Sequence, residues 1–522
     1  MTAPHKNIAI VGAGVFGLST ALHLSESGYK NVTVYDYQPY DESAYDPNAG
    51  CDSASADLNK VYRCFYGKQT EYQDLAFSGR ETWLNWNKVI ASSAPEDLPK
   101  GLTPNDQLLV INGVIMISGS KELSEVDQES LAALDRAGLR HHQHVLLDKQ
   151  DIQRLWDKDA EDPSHWKDKI ESLNKAGGGG LNGFIDTSAG FTYADKACVW
   201  VRHLAAKAGV RFVLGPEAGK FDQLLVEERE CGKRVKGLRT ADGKEHFADV
   251  VVIACGGWTP SIVPEVENLL ETTAGSVVTI ALPKDRKDLW DKFSPEKFPV
   301  WAYGVSGSTG PEFGGFYGFP RTADGVIKIG YRGRKWTNYQ THPKTGKRLS
   351  VPKTRYTVDR AENLPKKAID NIKVVIAELF PELKEIGITD TRMCWYTDSI
   401  DNSFVIDYVP DYNDSLFVAS GGSGHGFKFL PVLGKHVVNA LERKPDQFTQ
   451  LWKWRSSEPG TPANGLEEGE QSGRNLADLQ LAEESDWSFK EASAQHGSKD
   501  HDRAFANVDQ LSPEVEQIFI SA

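Results

Sequence analysis

Gly12, Gly14 and Gly17 constrain this chain more than any other residues. They follow a short apolar run, Asn7 to Val11, and open a helix-patterned stretch, Leu18 to Ser27, after which a second apolar run spans Val32 to Tyr35. In that strand, turn, helix, strand setting the G-x-G-x-x-G spacing has a mechanical meaning. The first glycine permits a tight turn, the second lets a pyrophosphate approach the backbone, and the third lets helix and strand pack closely, with the helix N-terminus facing the phosphates. Asp36 closes the second strand, where a carboxylate can accept hydrogen bonds from ribose hydroxyls and would repel a 2′-phosphate. Gly12, Ala13, Gly14, Val15, Phe16, Gly17 and Asp36 are therefore the candidate nucleotide site, and NADP is disfavoured. A glycine turn that only packs is the plainer alternative, and the motif does not separate FAD from NAD.

The same fold resumes further along. A helical stretch, Lys196 to Lys207, precedes the strand-like runs Gly209 to Val213, Val235 to Thr240 and Asp249 to Ala254. Between these parts, about 70–190 mixes helical patterns with loops, including the glycine run Gly177 to Gly180, and 270–360 reads as alternating strands. The expected class is α/β: a Rossmann-like dinucleotide-binding domain from 1–70, 190–270 and 370–455, interleaved with a mixed-sheet substrate domain from 71–189 and 271–369. From 456 onward the chain turns polar, with one short amphipathic piece at Leu476 to Leu481, and 456–522 is expected to be a poorly ordered tail.

Composition narrows the partner. A net charge of −14 over 522 residues argues against nucleic acid, because phosphate binding needs a basic footprint. No run approaches the roughly 20 apolar residues of a membrane span, and the first strand begins without a signal-like apolar region. A cytoplasmic enzyme acting on a small molecule is expected, most simply as a monomer. Six cysteines without paired metal-type spacing read as reduced thiols. His141, His142 and His144 lack a partnered acid or cysteine at ligand spacing and read as a surface cluster, so no metal is expected. No Walker-type Gly-Lys-Ser/Thr supports ATP chemistry.

Three further segments are candidates. In Gly325-Val-Ile-Lys-Ile-Gly-Tyr-Arg, period-two alternation puts Lys328 and Arg332 on one strand face and Ile327, Ile329 and Tyr331 on the other. On pattern alone a solvated strand face is the plainer reading. Ser420-Gly-Gly-Ser-Gly-His-Gly-Phe-Lys follows an apolar strand, Leu416 to Ala419, and precedes a helix-like Leu430 to Leu441, so a second glycine loop would aim a helix N-terminus, with Lys428 at its mouth. A structural turn is the alternative. Cys394, in Arg392-Met-Cys-Trp-Tyr, reads by itself as a small buried hydrophobe.

Taken in order, four segments resemble the sarcosine oxidase family of FAD-dependent amine oxidases, and within it the fungal amadoriase (fructosyl amino acid oxidase) and saccharopine oxidase branch. They are Ile8-Ala-Ile-Val-Gly-Ala-Gly-Val-Phe-Gly; Asp57-Leu-Asn-Lys-Val-Tyr-Arg; Tyr317-Gly-Phe-Pro leading into Ile327-Lys-Ile-Gly-Tyr; and Met393-Cys-Trp-Tyr followed by Ser423-Gly-His-Gly-Phe-Lys. The resemblance spans about 5–450. It implies a fold like those of glutathione reductase and D-amino acid oxidase, and FAD held covalently by a thioether from Cys394 to the flavin 8α-methyl. It further implies that Lys328 assists oxygen reduction, since a fixed cation stabilises the negative charge that builds on oxygen. Arg63 and Lys428 match a pair that clamps the substrate carboxylate, Lys60 a residue near the flavin's other face, and Tyr66 and Tyr317 aromatic residues lining the site. Gly424, Phe427 and Lys428 are expected against the cofactor.

One departure stands out: four residues after the lysine, amadoriases carry glutamate and sarcosine oxidases histidine, but this chain has Arg332. That arginine is expected to meet a second anionic group, as an N-linked dicarboxylic amino acid would offer. The activity implied is oxidation of a secondary amine to an imine, with hydrogen peroxide as the other product. Alternatives are a flavin dehydrogenase or biosynthetic oxidase of a secondary-metabolite pathway, and a non-catalytic dinucleotide-binding interaction protein. Relatives often end in a peroxisomal signal, whereas Ile-Ser-Ala at 520–522 is not Ser-Lys-Leu.

Overall fold

The computed structural model describes residues 5–51, 53–118, 122–161, 165–174, 182–304, 315–354, 363–456 and 473–489. The glycine run at 177–180 and the C-terminal 520–522 lie outside them. β1 (Asn7–Val11) and β2 (Asn31–Asp36) pair in parallel around α1 (Val15–Glu26), with Ile10 opposite Val34. Their runs are apolar except for the buried Thr33, because strands of a parallel sheet are covered on both faces. The sheet has six strands, in the order Val405–Tyr408, Leu416–Ser420, Val250–Ile253, β1, β2 and Arg211–Leu214. Only Val405–Tyr408 runs antiparallel to its neighbour. On one face α1 packs against the helices Ala194–Lys207 and Leu433–Leu441. That approach is close: a Cβ on Gly434 would stand 1.9 Å from the Ser19 carbonyl oxygen.

A second sheet has eight strands, ordered Asp390–Ser399, Leu270–Ala281, Val326–Trp336, Phe316–Gly318, Val300–Tyr303, Val114–Ser118, Asn182–Asp186 and Gln143–Val145. It is antiparallel except where Val300–Tyr303 runs parallel to Val114–Ser118. The helix Lys366–Leu379 buries Ile369, Ile372 and Ile376 in the same core as Ile327, Ile329 and Tyr331 of the strand Val326–Trp336. The apolar half of that strand's alternation thus faces its core, which leaves Lys328 and Arg332 to the other face. A small sheet, in which Lys60–Tyr62 and Leu109–Val110 both pair with Gly190–Thr192, carries Lys60 and ends just before Arg63.

Two expectations need correction. Of the stretch 370–455 expected in the dinucleotide-binding domain, the first part differs: Lys366–Leu379 and Asp390–Ser399 belong to the eight-stranded sheet and its core, so Cys394 comes from the second sheet. The tail is not uniformly loose, because 473–489 is docked. Arg474 is fully buried and ion-paired to Glu271, and Leu476 and Ala482 join the second core. Backbone bonds tie the segment down, from Thr337 N–H to Arg474 O and from Leu476 N–H to Thr337 O. No described helix is long and apolar enough to cross a membrane.

Candidate functional site

The glycine turn has the geometry its spacing requires. Gly12 has φ of +105°, donates its N–H to the Tyr35 carbonyl at 2.8 Å, and leaves 2.4 Å between a hypothetical Cβ and Ala254 O. At Gly17 a Cβ would lie 1.8 Å from Gly12 O, so only glycine lets α1 sit this close to the turn. Asp36 braces the loop from beneath: its Oδ2 accepts from Ala13 N–H at 2.7 Å and its Oδ1 from Gln38 N–H at 2.9 Å. Ser55, which no sequence pattern singles out, accepts from Val15 N–H at 2.9 Å.

A cavity of about 630 Å³ begins here. Gly12, Gly14, Val15, Phe16 and Asp36 form part of its wall, and Lys60, Arg63, Tyr66, Tyr317, Arg332 and Lys428 another part. Gly424 and Phe427 also line it, while Ala13, Gly17, Lys328 and Cys394 are not part of the wall. The wall fits a dinucleotide: it runs on from the glycine turn to a group of cations, and at Gly12 and Gly14 no side chain intrudes.

A charge cluster runs from Lys60 in the wall to buried groups behind it. Lys328 Nζ donates to Asp57 Oδ2 at 2.7 Å and to Asn59 O at 2.8 Å, and Lys60 Nζ reaches the same carboxylate oxygen at 2.5 Å. Lys60 Nζ also stands 3.7 Å from Cys394 Sγ. Burial works against every charge here, but for Asp57 the two lysines and Arg392 outweigh it and hold the carboxyl well below its usual range. Lys60 is raised above an ordinary lysine, because Asp57 and Cys394 overcome its burial. Lys328 goes the other way: burial lowers it to about 8, with Asp57 opposing and Lys60 adding to the fall.

Tyr317 owes its place to Gly330, the residue between Lys328 and Arg332 on the same strand face. A Cβ on Gly330 would lie 2.2 Å from Tyr317 Cζ, so the ring lies directly on the glycine. Burial, followed by Cys394, raises the Tyr317 phenol to about 12. Arg63 donates to Phe65 O and sits over the Phe65 and Tyr66 rings, each at 4.8 Å. Lys428 Nζ donates to Tyr66 Oη at 2.7 Å. Burial, then Arg63, pushes Lys428 well below an ordinary lysine. Arg332 donates to Ser423 O at 3.0 Å and lies over the Tyr396 ring at 5.4 Å, beside the cavity-lining Lys335. Lys335 is paired with Asp398 at 2.8 Å, and burial lowers it to about 8.

The structure thus gathers Lys60, Arg63, Tyr66, Tyr317, Arg332 and Lys428 around one cavity, with Lys328 and Cys394 bonded to or beside Lys60 and Asp57. Two readings differ. The helix after the second glycine loop begins at Leu433, and Lys428 sits on a separate 3₁₀ turn, Phe427–Phe429, so it is not at a helix mouth. His144 is buried, with Nδ1 bonded to Asp151 O, and is not a surface residue. No metal-type cluster occurs among the described residues. Asp57, Gly330, Lys335 and His425 were not singled out from sequence. Only the position of Gly330 midway between two cations offered a signal.

Known proteins resemble this chain over most of its length. L-saccharopine oxidase of Schizosaccharomyces pombe is 27% identical, over 87% of this chain and 94% of that protein. A monomeric sarcosine oxidase of a Bacillus species is 23% identical, over 83% and 92%. The crystal structure of the deglycating fructosamine oxidase (Amadoriase II) of Aspergillus fumigatus has a TM-score of 0.66 at 27% identity, covering 87% of this chain and 90% of that one. A modified fructosyl peptide oxidase of Aspergillus nidulans has a TM-score of 0.71 at 26% identity, with 92% and 99% covered. Residues 7–440 match the DAO family of FAD dependent oxidoreductases, and the chain belongs to that family.

Proposed function

We propose that this chain oxidises a secondary amine within an amino-acid-like substrate and uses oxygen as the electron acceptor. The observation that carries the reading is the pairing of Arg63 and Lys428 in one cavity with the Lys328–Asp57–Lys60 cluster beside Cys394. Bound FAD would take a hydride from the carbon next to the amine nitrogen and pass the electrons to oxygen, leaving an imine for water to hydrolyse and hydrogen peroxide. Gly12 to Gly17 and Asp36 would hold the nucleotide part, Gly424 and Phe427 would abut the cofactor, and Cys394 would anchor the flavin through a thioether.

The chain's own residues do the rest. Arg63 and Lys428 receive the substrate carboxylate, and charge-assisted bonds in a buried site fix the adjacent carbon in one orientation. Their positive charge also disfavours an ammonium beside them, which helps the amine bind in the neutral form that hydride loss requires. Lys328, pinned by Asp57 and Asn59 O, supplies a fixed positive charge where oxygen becomes negative. Arg332, next to Lys335 in the same wall, gives the site room for a second anionic group.

The test is direct. Purified protein is denatured in acid, and absorbance and intact mass are read for yellow colour and an FAD-sized adduct. Retention in the wild type and loss in Cys394→Ser supports the covalent assignment, and release of FAD from the wild type removes it. Anaerobic mixing with a panel of N-alkyl amino acids should bleach the flavin. A protein that stays yellow with all of them is a binder, and the amine-oxidase reading then fails.

A further inference from the structure

His425 is buried inside an aromatic cage. Its ring centroid lies 4.9 Å from that of Tyr72, 5.1 Å from Phe404 and 6.1 Å from Phe429. Phenylalanine would fill such a cage without the cost of desolvating two ring nitrogens, so the nitrogens themselves call for explanation. Nε2 lies 3.0 Å from Asn402 O and Nδ1 lies 3.2 Å from Tyr66 Oη. Tyr66 Oη lies in turn 2.7 Å from Lys428 Nζ.

The direction of this chain follows from its two ends. A carbonyl oxygen only accepts, so Nε2 carries the proton and donates to Asn402 O. In the charged form that a bound carboxylate favours, Lys428 only donates, and it gives a hydrogen to the Tyr66 oxygen. The phenol hydrogen then has one place to go, the lone pair on Nδ1. That arrangement needs a neutral imidazole, and burial together with the neighbouring Lys428 holds His425 well below its ordinary pKa.

We propose that His425 is a positioning residue for substrate binding, which orients the Tyr66 hydroxyl and through it fixes the Lys428 ammonium against the substrate carboxylate. The inference rests on the carboxylate role given to Lys428 above. His425 keeps the Tyr66 hydrogen turned away, so that the phenol oxygen faces Lys428 as an acceptor. Without the Nδ1 acceptor the hydroxyl is free to rotate its hydrogen towards Lys428, and the lysine loses its shorter anchor, keeping only the 3.4 Å bond to the His425 carbonyl.

Binding of (methylthio)acetate and of (methylthio)acetamide to the holoenzyme, measured by titration calorimetry, tests this. The acid and the amide differ only in the carboxylate. His425→Phe should weaken the acid by about 10- to 100-fold, the range for losing a hydrogen bond to a charged group, and leave the amide within about 3-fold. Tyr66→Phe should produce the same selective loss, and the double variant should be no worse than Tyr66→Phe alone. His425→Asn, which keeps an acceptor close to the Nδ1 position, should recover most of the affinity. Unchanged acid binding in His425→Phe overturns the proposal, as does an equal loss for acid and amide or additive losses in the double variant. A wild type that does not prefer the acid to the amide removes the carboxylate role of Arg63 and Lys428 instead, and this inference with it.

Discussion

Asp57 is the residue on which the site's electrostatics turn. One carboxylate oxygen holds both Lys328 and Lys60, and without it two buried ammonium groups would face each other. Removing one partner of a buried ionic group typically costs about 3–5 kcal/mol, so Asp57→Asn should lower the melting temperature and reduce flavin content together. Replacing Lys328 by Met should slow reoxidation of the reduced flavin by oxygen at least about 100-fold, the size of effect seen when one stabilising donor is removed from a buried site. Flavin reduction by amine should stay within a few fold, and stopped-flow measurement of the two half-reactions separates these outcomes. The pH dependence has a definite sign. Lys328 is lowered to about 8, so its charge is present below that value, and the rate with oxygen should decline as pH rises through about 8. A rate that rises over that interval would contradict the assigned role. For Arg332→Ala, kcat/KM should fall more on secondary amines with a second carboxylate than on neutral ones, and an equal loss on both would remove the second-anion reading.

At the scale of elements, the strand Val326–Trp336 shows how local pattern and packing combine. Its alternation was legible because a β-strand sends successive side chains to opposite faces, and Ile327, Ile329 and Tyr331 lie in the core as that pattern requires. What the pattern did not contain was the reason for Gly330. The ring of Tyr317 from the neighbouring strand lies on it, so Gly330→Val should displace Tyr317 into the cavity. The expected outcome is weakened substrate binding and altered flavin absorbance in a folded protein, checked by titration and circular dichroism. The glycine turn of β1 and α1 was more fully legible, since its glycines, strand and helix lie within one short stretch of chain. The second glycine loop was less so, because a 3₁₀ turn and a helix start at Leu433 cannot be told from one continuous helix by composition alone.

At the scale of the whole molecule, the docked segment 473–489 closes over the second core. Arg474, with no exposed surface, reaches Glu271 and the Lys335 carbonyl. Arg474→Met removes a buried ion-pair partner of Glu271 and should cost up to about 3–5 kcal/mol, seen as a fall in melting temperature with the nucleotide site intact. The amphipathic piece at Leu476 to Leu481 was the one legible trace of this docking; a lone buried cation such as Arg474 in a hydrophilic stretch leaves no periodic signal. The sequence by itself determined the dinucleotide turn, the two faces of the cationic strand and the residue types available for chemistry, since each depends on neighbours within a turn or a strand. Tertiary structure alone decided that Lys328 meets Asp57 across 271 positions, that Lys60 meets Cys394 across 334, and that Tyr66 meets His425 across 359. Such pairings join loops and strands that are far apart in the chain, and no local spacing records them.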